Sequence, residues 1–150
     1  MPWPHLHLIV NHAPVVGSLF AWLLLAGGLA WRSHAVMRAA LVTFAAVGLL
    51  AFVAVQTGER AEDEVEEMAG VSEDHIHDHE EAAEVAALGL EAVGVISLIG
   101  LVLSRRRVPG WLAILVLAAA LVPIVLVART AELGGRIRHP EVVEDPAFPF

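Results

Sequence analysis

The chain contains no cysteine, no lysine and no tyrosine. Without cysteine it can form no disulfide, no thiolate-bound iron–sulfur cluster, no covalent c-type haem and no thiolate zinc site of its own. All nine basic residues are arginine, set against 17 acidic ones, and the net charge is −8. That balance argues against nucleic acid as a partner. Charge is absent from long runs and crowded into short ones. Hydrophobic residues make up 57% of the chain and the mean hydropathy is +0.70, whereas soluble domains hold roughly 45–50% apolar residues. This composition implies an integral membrane protein. The opening Met-Pro-Trp-Pro-His carries no basic residue, so the first apolar segment reads as a retained span and not as a cleaved signal.

Four segments approach the ~20 apolar residues needed to cross a hydrocarbon core. They run over about 6–31, 35–55, 75–103 and 111–130. Backbone polar groups must be satisfied internally in lipid. The fold class is therefore all-α, a single domain (1–150) with four transmembrane helices in a bundle. The two short connections, around Arg32–Arg38 and Arg105–Arg107, hold five of the nine arginines. The positive-inside rule puts them in the cytoplasm, and both termini and the 57–81 connection outside. Within 57–74, Val65 and Met68 suggest a short interfacial amphipathic helix ending at Gly70. Ser72 is suited to cap the third helix. Prolines in the tail predict an extended arm over 136–150.

With that topology, seven of the eight histidines fall on the outer side. His5, His7 and His12 open the first helix, His75, His77 and His79 open the third, and His139 follows the fourth; His34 alone lies on the other side. Histidine at a membrane span is costly without a partner, which makes it a functional candidate. His75 and His79 share a helix face, while His77 points away and reads as solvated. Small residues below His12 and His79 leave room for a flat cofactor between helices. Two neutral imidazoles from facing helices suit the axial positions of haem iron, with His12 and His79 as the expected pair. Arg129, Arg136 and Arg138 lie at the level where haem carboxylates need cations. Asn11 and Glu80 are candidate supporting groups. The alternative is a bare zinc, copper or non-haem iron ion held by His7, His12, His75, His79 and His139 with Glu59 and Glu80. Glu84 and Glu91 share a face of the third helix. Glu91 lies within the span, as a polar contact or a step in a proton path.

Several short motifs resemble a bacterial four-helix integral membrane family of unknown function. They are His7-x4-His12-x-Pro14, a histidine at the start of the third span, and Gly134-Gly135-x-x-x-His139. Thr57-Gly-Glu59, His79-Glu80 and Arg138-His139-Pro-Glu141 look like a subgroup signature within it. Members of this family occur alone or fused to Rieske or c-type cytochrome domains. The resemblance implies electron-transfer company and a haem-binding role for His7, His12, His79 and His139. It also implies a multi-pass protein of a bacterial inner membrane with its site on the periplasmic side. The expected function is that of a b-type cytochrome with one or two haems; in the second case His7 and His139 form the second set. Its partners are lipid, quinol, and redox proteins or other subunits of a respiratory or photosynthetic complex. A structural accessory subunit is the remaining alternative.

Overall fold

The computed structural model describes residues 2–66, 73–105 and 107–138. It is all-α, with no strand among the described residues, and its elements are α1 Trp3–Val10, α2 His12–Ala30, α3 His34–Glu66, α4 Glu73–Ser104 and α5 Gly110–Arg138. α1 and α2 make one span, so four helices are long and apolar enough to cross a membrane. They form a four-helix bundle. Its large outward-facing residues, such as Leu19, Phe20, Leu49 and Val125, are apolar, as lipid contact demands.

Three helix boundaries differ from the sequence expectation. The first span is interrupted at Asn11, because Pro14 has no N–H to offer the Val10 carbonyl and its ring crowds that turn. The short helix expected as a separate element in the 57–74 connection is, as far as Glu66, a continuation of α3. Extending an existing helix costs less than nucleating a new one. Thr57 does not interrupt it, since its hydroxyl donates back to the Val53 and Ala54 carbonyls at 3.0 and 2.9 Å. Residues 136–138 of the expected arm belong to α5. The expected helix end at Gly70, the cap at Ser72 and the arm beyond residue 138, including His139, lie outside the described residues.

Lipid tails are as apolar as leucine, so helices in a membrane associate through close packing and not through a hydrophobic drive. Small residues set that closeness here. At the α3–α4 crossing, a Cβ on Gly48 would stand 3.0 Å from the Leu90 carbonyl, and one on Gly94 would stand 3.2 Å from the Phe44 carbonyl. The main core gathers Leu25, Leu41, Phe44, Val108 and Val116, all nearly inaccessible. It fills the half of the bundle nearest the two short connections. Those connections each turn on one left-handed residue, Arg32 (φ 52°) and Arg105 (φ 45°), a common way to end a helix. The Arg38 guanidinium donates to the Arg105 carbonyl and ties them together. A smaller cluster, Val47, Ala51, Ala86, Ala87, Leu90 and Val127, lies toward the opposite end. Beyond it the four helices part around a cavity.

Candidate functional site

The cavity measures about 570 Å³ and all four spans contribute to its wall. That volume is ordinary for a small-molecule or cofactor site. Toward the bundle middle the wall is small and apolar, with Ala51, Ala86, Ala87 and Val127; toward the open end it carries Glu59, Glu62, Glu80 and Glu84.

Two histidines face this space from different helices. His7, on α1, donates its Nδ1–H to the Ala54 carbonyl at 3.0 Å, with the Thr57 hydroxyl oxygen at 3.4 Å. His79, in the second turn of α4, donates its Nδ1–H to the Thr130 carbonyl at 3.0 Å. A carbonyl oxygen can only accept, so in the neutral ring the proton sits on Nδ1 and the Nε2 lone pair is free. Each ring lies over a glycine one helical turn beyond its acceptor. A Cβ on Gly58 would come within 3.2 Å of the His7 Cε1 atom, and one on Gly134 within 3.0 Å of the His79 Cε1 atom. Glycine at these positions lets the ring reach the backbone carbonyl without crowding. The two rings are half-buried.

His7, His12 and His79 all border the cavity; of the two first-span histidines, it is His7, and not the expected partner His12, whose ring is fixed by a carbonyl of another helix. Five residues advance about 140° around a helix, so His7 and His12 leave the first span in different directions. His12 borders the cavity but is exposed, and it donates its Nδ1–H to the Leu8 carbonyl of the preceding turn at 2.7 Å. Of the other sequence candidates, Asn11, Glu59 and Glu80 line the wall while His75 does not. Asn11 Oδ1 is buried with no hydrogen-bond partner. Glu59 is exposed and accepts from Gln56 at 3.2 Å. His77 is exposed, and so is Arg129, which stands apart from the wall. Arg136 donates to Glu132 on its own helix. The Arg138 side chain and His139 lie outside the described residues, so a second set built from His7 and His139 is not described either. Among the described residues no arginine is part of the wall, and no group of three or more His, Asp or Glu could hold a metal ion.

The acceptors Ala54 and Thr130 carry no chemical flag in a sequence, since they act through a backbone carbonyl; Thr57, Gly58 and Gly134 stand in the quoted motifs, but nothing there marks them as neighbours of a ring. No protein-family model, curated protein or solved structure matches the chain.

Proposed function

We propose that the chain is a membrane-bound b-type cytochrome with its haem held between His7 and His79. One observation carries this reading. Two imidazoles from separate helices, each fixed in tautomer by a backbone carbonyl so that Nε2 carries the lone pair, line one largely apolar cavity of about 570 Å³. Haem iron asks the protein for two donors. A bare zinc ion asks for three or four, more than any group among the described residues provides. The Nδ1–H bonds also fix each ring plane and raise ligand basicity, as the outer-shell partners of metal-bound histidines do.

When bound, haem supplies one-electron chemistry. The chain's own residues bind and orient it, and Ala51, Ala86, Ala87 and Val127 keep water from its apolar edge. Arg136 lies between two wall residues, Gly135 and Ile137. It is the cation best placed along the chain to exchange Glu132 for a haem carboxylate. Because the short connections are arginine-rich, the cavity belongs to the extracytoplasmic side, with both termini there. The role is electron transfer with quinol or with redox proteins of a bacterial inner-membrane complex. The test is a spectrum of the purified protein with a pyridine haemochrome assay. A Soret band and a reduced α-band are expected; a well-folded protein that shows neither, even after porphyrin is supplied, would sink the reading.

A further inference from the structure

The two histidine sites are the visible part of a longer correspondence. A shift of 72 residues carries His7 to His79, Gly17 to Gly89 and Gly28 to Gly100, and carries the buried Pro14, Ser18, Ala21 and Leu25 onto the buried Ala86, Leu90, Val93 and Ser97. A shift of 76 does the same for the other helix of each pair. Met37, Ala40, Phe44, Val47 and Ala51 fall on Ala113, Val116, Ala120, Pro123 and Val127, all of them buried. Ala54 and Gly58 fall on Thr130 and Gly134.

The contacts move with the residues. Gly17 abuts Val47 and Gly89 abuts Pro123, each with a would-be Cβ at 2.8 Å. Gly28 meets Val36 at 3.2 Å, and Gly100 meets its counterpart, Leu112, at 2.6 Å. Each histidine reaches its carbonyl at 3.0 Å. Two unrelated hairpins would not share a burial pattern, a set of glycine contacts and a side-chain hydrogen bond at constant offsets.

The cavity wall obeys the same rule. Pro4 pairs with Ile76, Asn11 with Ala83, Val55 with Ala131 and Ala61 with Ile137, and all eight line it. Apart from Leu90, and from Glu62 and Val65, whose counterparts are Arg138 and Glu141, every residue of the wall has its counterpart in the wall. The cavity is thus shared equally between the halves. The correspondence breaks where α3 crosses α4. Gly48 and Gly94 make that contact, while their counterparts are Ile124 and Trp22. There α2 and α5 are joined through the Trp22 indole, which donates to the Leu117 carbonyl at 3.1 Å.

We propose that the chain is two copies of one helical hairpin, α1–α3 and α4–α5, and that the cavity between them takes a single planar ligand per chain with one histidine of each copy on each of its faces. The identity of the ligand rests on the haem reading; the repeat does not. Both coordination positions of the iron are then filled by the chain, which leaves none for a small molecule and restricts the site to electron transfer.

The test titrates the purified, ligand-free chain in detergent with iron protoporphyrin IX. Saturation at one porphyrin per chain is expected, with a six-coordinate low-spin spectrum and no carbon monoxide adduct on reduction. His7→Ala and His79→Ala should each open one face. Both should then bind carbon monoxide, and both should regain the low-spin spectrum with added imidazole, which also shows that they are folded. Two porphyrins per chain would overturn the proposal, as would an unchanged low-spin spectrum in either variant. Uptake of no porphyrin sinks the haem reading alone, and the repeat is then decided without ligand. Gly58→Val and Gly134→Val should each lower Tm, because each presses the histidine ring of its own half from the corresponding position; a loss in one variant alone overturns the repeat.

Discussion

The two ends of this bundle are made of similar residues and do opposite things. Near the short connections, glycine and alanine draw the helices into contact. Gly28 would strike the Met37 backbone nitrogen at 2.8 Å if it carried a Cβ, and Gly100 would strike Leu112 at 2.6 Å. The space that remains is filled by Phe44, Leu25 and Leu41. At the other end the alanines and glycines of the wall face a void, and two of the glycines carry imidazole rings instead of helices. A small residue in a membrane helix therefore has two uses, to bring a neighbour close or to leave a place for something else. What the neighbouring helix sets opposite it decides which. The largest test of this contrast is Gly48→Leu. At the α3–α4 crossing the added side chain meets the Leu90 carbonyl and the backbone of Glu91 and Gly94, none of which is a flexible tip. Overpacking in a tight core costs about 1–3 kcal/mol or more, and this crossing has nowhere to yield. Loss of folded protein in gel filtration and thermal unfolding is expected; a near-native Tm would show that the crossing is looser than these distances imply.

A matched pair of substitutions sharpens the contrast. Phe44→Ala empties a place in the filled half and should cost about 3–5 kcal/mol, the transfer loss plus the cavity left behind. Ala83→Phe adds a ring at the half-exposed wall of the open half, where there is room for it. It should alter the stability of the ligand-free chain by less than about 1 kcal/mol while abolishing porphyrin uptake. Denaturant unfolding and porphyrin titration on the same samples would separate the two effects. If both variants lose comparable stability, the cavity is not a standing feature of the fold.

How much of this was legible beforehand depends on what kind of signal each feature sends. The four spans are legible because lipid imposes length and hydropathy on any helix that crosses it. The convergence of the histidines on one end follows from topology alone, and the bundle does bring His7 and His79 to one cavity. That His7 and not His12 reaches a carbonyl of another helix is not legible, because it depends on which way each ring leaves the first span. Nor are the acceptors, since Ala54 and Thr130 act through backbone atoms that every residue possesses. One signal does stand in the sequence: Gly17 and Gly89 each follow a ring-bearing histidine, His7 and His79, by ten residues. Spacing of that kind marks a repeat even when the residues between share little identity.

The smallest expected effect concerns a polar difference beside one of the two rings. Beside His7 the buried Thr57 hydroxyl donates to Val53 and Ala54, and Ala54 is also the acceptor for the ring. The counterpart of Thr57 is Leu133, so the Thr130 carbonyl accepts from His79 with no such competitor beside it. Sharing one acceptor between two donors weakens each bond. Thr57→Val keeps the shape and removes the rival donor. Because Val53 and Ala54 keep their helical partners, no buried group is orphaned, and the net loss should not exceed about 1 kcal/mol, the usual worth of one hydrogen bond. The informative readout is the Nδ1–H resonance of the two rings in a histidine-labelled sample. In the native chain the His7 and His79 signals should differ; in Thr57→Val the His7 signal should move toward that of His79, and Thr57→Ser should leave it in place. A His7 signal that ignores the valine would mean that the hydroxyl at 3.4 Å has no influence on the ring, and that the difference between the two signals arises elsewhere in the two halves.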